Sequence, residues 1–308
     1  MIILFDVFLV LMLLGLALYA AAMRDNQSAI IGFVAFGLLL SIGWTRLASI
    51  DVALTEAAIG SGVTGLLLLR AEAYVRGSIS DRTFGLGSKM AIAVLCASVS
   101  AALAYIVLTA PFPAPTLAPA SVASLDSAGL GNSVTAVLMA YRAIDTLLEK
   151  VVLILALVGV WSLTPNRYWG GAAVGVPTPA PEPLVFLART LPPIGVVVAV
   201  YLLWVGADAP GGTFQGGAVL AAMWLLGMSA GLLPIPQTQA RTLRLLLVGG
   251  PMVFLVIGFL GLAAGAFLAY PAAIAKLLII IIEMALILSI AITLGMLVVG
   301  SPKKVPST

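Results

Sequence analysis

Gly206-Ala207-Asp208-Ala209-Pro210-Gly211-Gly212-Thr213-Phe214-Gln215-Gly216-Gly217 is the stretch whose reading decides the fold. It joins two apolar runs, near 187–206 and 214–233, each about as long as a bilayer core requires. Pro210 and the four glycines after it (Gly211, Gly212, Gly216 and Gly217) specify a turn in which backbone comes close to its neighbours. Asp208 is the one carboxylate of this turn. A glycine-rich turn between two spans predicts an all-α, polytopic membrane protein.

Composition agrees. Hydrophobic residues fill 62% of the 308 positions and charged residues 9%, whereas a soluble domain carries about 25% charged residues. Outward from the turn, apolar runs recur near 2–22, 28–45, 51–69, 90–110, 133–163, 245–269 and 273–299, for about nine spans in all. The net charge of +3 is small and reads as membrane topology, not as nucleic-acid binding. Cys96 is the single cysteine and histidine is absent. An intrachain disulfide is therefore excluded, zinc, haem and iron–sulfur sites lack ligands, and no metal or cofactor is expected. The N-terminus, Met1-Ile2-Ile3-Leu4-Phe5-Asp6, lacks the basic region of a cleaved signal and predicts a retained first helix.

The connections separate by charge. The 70–89 loop holds Arg70, Arg76, Arg82 and Lys89, the 164–186 loop Arg167, the connection after 233 Arg241 and Arg244, and the tail Lys303 and Lys304. The 111–132 loop, the Gly206–Thr213 turn and the 270–272 turn hold no lysine or arginine. This alternation puts the C-terminus in the cytoplasm and, with nine spans, the N-terminus outside. Arg46, near Asp51, is the exception on the outer side. Gly170 to Pro183 is rich in glycine and proline and reads as a linker between two units. The predicted division is 1–76 with three helices, 77–169 with two, the linker 170–183, and 184–308 with four.

Ionisable residues inside spans cost roughly 2.5–3.5 kcal/mol at a helix centre, so each calls for a partner or a task. Glu56 has Gly60 at i+4 and Ser61 at i+5. It reads either as a proton or cation relay or as an anchor to a neighbouring helix. Asp51 at the helix start suits an N-terminal cap. Arg142, Asp145 and Glu149 fall at i, i+3 and i+7 with Lys150 adjacent. Arg142 and Asp145 can pair, leaving Glu149 to Lys150 or to another helix. Lys276 and Glu283 are two turns apart, about 10.5 Å along the axis, so each needs a partner elsewhere. Asp208 either approaches a cation with the turn or sits at the next helix start. Gly60-x-Gly62-x-x-Gly65 follows no strand and is no dinucleotide site. Gly261-x-x-x-Gly265 predicts a close helix contact.

Three motifs resemble known families. The turn is similar to the Pro-Gly-Gly-Gly-Phe-x-Gly-Gly signature of the B-type component of the Mrp-type multisubunit Na+/H+ antiporters, with Thr213 at the third glycine and Ala207 where that family often has histidine. Asp51-Val52-Ala53-Leu54-Thr55-Glu56-Ala57-Ala58-Ile59-Gly60 resembles the third helix of the small D-type component of membrane-bound hydrogenases, an element also found in the C-terminal part of the large A-type antiporter component. Asn132-Ser133-Val134-Thr135-Ala136-Val137-Leu138, followed by Tyr141-Arg142-Ala143-Ile144-Asp145-Thr146-Leu147 and Glu149, resembles the E-type component of the same hydrogenases. The D-like and E-like parts are distantly similar to the J-type component of respiratory complex I. Such components sit between large pump-like subunits and a small K-like partner.

The resemblance implies a bacterial or archaeal cell-membrane subunit that is not an enzyme. It would carry Na+ or H+ laterally along Glu56, Asp145, Glu149, Glu283 and Lys276, with Arg142 and Lys150 in structural ion pairs. The B-type resemblance also places a glutamate at Glu283. An ion-translocating arm of a complex I-like or hydrogenase-like redox complex is the alternative, and a scaffold that uses its charges for assembly is a third.

Overall fold

The computed structural model describes residues 2–75, 85–112, 115–173 and 179–304. Arg76 and Arg82 lie outside the described residues, as do positions 174–178 of the linker. The fold is all-α, with no strand among the described residues.

α1 (Ile2–Ala22) and α2 (Asn26–Arg46) form an antiparallel pair. Asp25 caps α2 by accepting from the Ser28 amide at 2.8 Å. At the far end of the pair Arg46 grips Asp6 with two hydrogen bonds of 2.8 and 3.0 Å. α3 (Ile50–Thr55), a π-helical stretch Glu56–Val63 and α4 (Thr64–Val75) continue one another. α5 (Leu86–Thr109) buries no residue against the chain. Short helices α6 (Ala118–Ala123) and α7 (Leu125–Ala128) fill the connection before α8 (Ser133–Ala136). A π-turn at Val137–Tyr141 leads to α9 (Ala143–Ser162). Then come α10 (Glu182–Val205), α11 (Thr213–Ser229), α12 (Arg241–Leu260) and α13 (Ala275–Val299).

Among the described residues, seven helices are long and apolar enough to cross a membrane. α11 is shorter, at 17 residues. The expected continuous span 133–163 is broken at Arg142, where φ is −132° and ψ 36°. The groups freed by the break are satisfied locally. The Arg142 amide donates to Val137 O at 2.8 Å, and the Thr146 hydroxyl reaches back to Leu138 O at 2.6 Å. The count of nine is thus approximate: α11 and the broken 133–162 segment stand beside the seven.

α13 is the axis of the fold. Ile279, Ile282, Leu286 and Ile290 are fully buried, among α9, α10, α11 and α12. Close approach depends on glycines of the neighbours. A Cβ on Gly217 of α11 would stand 2.8 Å from Ile290 Cγ2, and one on Gly250 of α12 2.9 Å from Ser289 Cβ. Small residues at such crossings bring helices together without a hydrophobic drive from lipid. Gly261 and Gly265, expected as a helix contact, instead lie in the 3₁₀ turn that ends α12, with Gly265 at φ 111°. Glycine tolerates that conformation, and the spacing reflects a stop rather than a helix crossing.

One end of the bundle is tied by backbone. Gly171 O accepts from the Thr238 amide at 2.9 Å, and Ala172 O accepts from the amides of Lys303 and Lys304 at 3.0 Å each. Arg70 Nη2 donates to Val299 O at 2.6 Å, fastening α4 to the end of α13.

Candidate functional site

The glycine turn is the meeting point of the three predicted units at the other end. Its carbonyls receive the E-like segment. Ala207 O accepts the amides of Gly131 and Asn132 at 3.0 and 3.1 Å, and Gly206 O accepts the Thr135 hydroxyl at 2.6 Å. Asn132 Nδ2 adds a bond of 3.0 Å to Ala209 O. The D-like segment arrives through Asp51, whose Oδ1 accepts the Gly211 amide at 3.0 Å. Asp208 takes the Lys276 ammonium on both oxygens at 2.7 Å. Gly212, at φ 129° and ψ −174°, holds a conformation open to glycine alone. A Cβ on Gly206 would sit 2.8 Å from Gly212 Cα. These glycines let the turn fold back on itself, so that α11 starts directly beneath it.

Beneath the turn opens a cleft of about 370 Å³ between α3, α8, α9, α11 and α13. Glu283 is 3% exposed, and its Oε1 accepts the Thr213 hydroxyl at 3.2 Å, while Oε2 has no hydrogen-bond partner among the described residues. Thr213 opens α11, so the carboxylate faces the free amides and positive dipole end of that helix. Lys150, also 3% exposed, lies with Nζ 3.1 Å from the centre of the Phe214 ring and makes no hydrogen bond to a described residue. A desolvated ammonium over an aromatic face is worth about 2 kcal/mol or more. Gln215 Nε2 donates to Thr55 Oγ1 at 3.0 Å across the cleft. Asp51, Thr135, Thr146 and Glu149 complete its polar lining. Two π-helical turns flank the cleft, a geometry that recurs at functional sites in helices.

The residues picked from sequence separate here. Glu149 and Glu283 share the cleft with Lys150. Lys150, expected in a structural ion pair, makes no salt bridge with a described residue; Phe214 takes its ammonium instead. Asp145 lies outside the cleft and pairs with Arg142 at 2.6 Å on an exposed face. Because the helix breaks at Arg142, that residue precedes the α9 face it was expected to share. Lys276 is bound to Asp208 in the turn, not exposed to the cleft. Glu56 stands on the side facing α2. A Cβ added to Gly37 would lie 3.0 Å from Glu56 Oε1, and Gly60 faces the same carboxylate. Buried Ser61, one residue beyond Gly60, has a hydroxyl with no hydrogen-bond partner and also abuts Gly37. Thr55 and Ile59, on the other side of the same helix, face the cleft. Phe214 and Gln215 escaped the sequence reading. Both directly follow the departure Thr213, which was the available signal.

Comparisons with known proteins follow this division. A family model for the D component of MBH matches residues 11–76, and one for the E component of MBH matches 86–179. A third, the domain related to the MnhB subunit of Na+/H+ antiporter, matches 183–302. The chain joins a D-like, an E-like and a B-like segment. No curated protein matches this D–E–B chain. Among solved structures, the Mrp complex from Dietzia sp. DQ12-45-1b aligns at TM-score 0.71 and 21% identity over 94% of this chain. The D–E–B chain spans 34% of the length of the chain it matches there. The membrane-bound sulfane sulfur reductase, an archaeal respiratory membrane complex, aligns at TM-score 0.58 and 26% identity over 70% of this chain and 97% of the matched one. The D–E–B chain is thus related to membrane subunits of multisubunit complexes.

Proposed function

We propose that the D–E–B chain is a membrane subunit of an Mrp-type cation/proton antiporter complex and supplies part of a lateral path for protons or Na+. The observation that carries this reading is the cleft. A buried ammonium and a buried carboxylate line it together, each with a polar atom unpartnered among the described residues. Two such groups without full pairing are costly in lipid and are kept where charge must move. Lys150, Glu283 and Glu149 form the inner part of the path, and Glu56 continues it toward α2. Large pump-like subunits and a small K-like protein are its partners in the membrane. The C-terminus lies in the cytoplasm and the N-terminus outside. The Asp6–Arg46 pair neutralises the one arginine that opposed this orientation.

A second reading, the ion-translocating arm of a redox complex, is favoured by the two MBH models and by the coverage of the archaeal respiratory chain. The physics of the subunit is the same and the driving reaction differs. The test is Na+-dependent proton flux in inverted vesicles that contain the whole complex, in wild type and Lys150→Met. Flux in wild type that falls in the assembled variant supports the antiporter. Absence of Na+-dependent flux, with pumping on electron-donor oxidation, replaces it by the redox arm.

A further inference from the structure

We infer that Phe214 is a positioning residue that keeps Lys150 and Glu283 from closing into a salt bridge, so that a proton passes between them only when the ammonium leaves the ring. This inference rests on the ion-path reading and assigns a residue that the charges themselves do not reveal.

Three observations converge. Lys150 Nζ lies 3.1 Å from the ring centre and makes no hydrogen bond. Glu283 lines the same cleft and leaves Oε2 unpartnered, although a buried carboxylate and ammonium free to meet would pair. Thr213, the neighbour of Phe214, holds the other oxygen of Glu283 at 3.2 Å. Consecutive residues at the start of α11 therefore hold the two charges, one by a hydroxyl and one by a ring. Glu149 on the same helix as Lys150 and Asp51 from α3 also line the cleft; Arg142 and Asp145 do not. The step itself is a plain proton transfer. A Lys150 N–H bond breaks and a Glu283 O–H bond forms, leaving a neutral amine and a neutral acid. The amine is reset by taking a proton from the next group on its side, and the acid by giving its proton to the next group on the other. A permanent salt bridge would leave both charges paired and stall the step, whereas the ring holds the ammonium by a weaker, non-directional attraction.

Two measurements on the assembled complex test this. In ¹³C,¹⁵N-lysine-labelled complex, the Lys150 side-chain signal, assigned by its loss in Lys150→Met, is expected to be shifted upfield by the ring current. The shift should persist in Phe214→Tyr and vanish in Phe214→Leu. In vesicles, Phe214→Leu is expected to lower flux by about tenfold and to change its pH profile, while Phe214→Tyr keeps both. An unshifted Lys150 signal in wild type overturns the inference whatever the flux. So does Phe214→Leu with wild-type rate and profile, or an equal loss in both variants with the profile unchanged, which would mark mere packing. If Lys150→Met and Glu283→Gln leave flux intact while the ring-current shift is present, the ion-path reading fails separately from the geometry.

Discussion

At Thr213 a hydroxyl stands where the resembled turn has a glycine, and among the described residues it gives the Glu283 carboxylate its one hydrogen bond. Glu283 could be singled out from sequence because a carboxylate inside an apolar run is expensive. Its surroundings could not, since Thr213 is 70 residues away and Lys150 on yet another helix. Thr213→Val keeps the shape and removes the donor. It should lower stability by roughly 1–3 kcal/mol and reduce flux, with Thr213→Ser near wild type in both thermal unfolding and vesicle assays. Gly212 makes a separate case. Its backbone at φ 129° and ψ −174° strains any side chain, so Gly212→Ala should lower stability by about 1–3 kcal/mol. A melting temperature equal to wild type would contradict that.

Helices meet through their glycines and their ends. Gly217 packs against Ile290, and a methyl there has no room beside Cγ2 at 2.8 Å. Gly217→Ala should therefore push α11 from α13 and cost about 1–3 kcal/mol, read as loss of assembled complex in detergent. The Asp208–Lys276 pair is different, because both side chains are about half exposed at 55% and 40%. Asp208→Asn should cost no more than about 1 kcal/mol, and the charge-reversed double variant should recover the loss. The helices themselves were readable from apolar run length, and their ends agree with the sequence within a few residues for most spans. The break at Arg142 was not readable. It depends on Thr146 reaching back across the gap to Leu138 O, a contact that no periodicity encodes. Arg142 consequently falls outside the i, i+3, i+7 alignment that an unbroken helix would give it with Asp145 and Glu149.

For the whole molecule, the order of units was legible from three short motifs, because each carries residues that the turn needs. Asp51, Asn132 and Thr135 all reach the Gly206–Gly211 backbone. The linker joins units already tied at both ends, by this turn and by Gly171, Ala172 and Arg70. A chain divided between positions 174 and 178 and expressed as two pieces should therefore copurify through a tag on either piece. Recovery of the tagged piece by itself would show that the covalent link holds the units together. What the sequence could not show is which side of a helix each charge faces. Glu283 shares the cleft with Thr55 and Ile59, whereas Glu56, beside them on the same helix, is turned toward Gly37. The proposed path runs through the two carboxylates in series, across the π-helical stretch Glu56–Val63.

The measurement that tests this most directly is Na+-dependent proton flux through the assembled complex in inverted vesicles, compared for Glu56→Gln, Glu283→Gln and the double variant. Groups in series act as a unit, so each single variant should fall to the same residual flux and the double should fall no further. Wild-type flux in either single variant, or losses that multiply in the double, would contradict a single path through both.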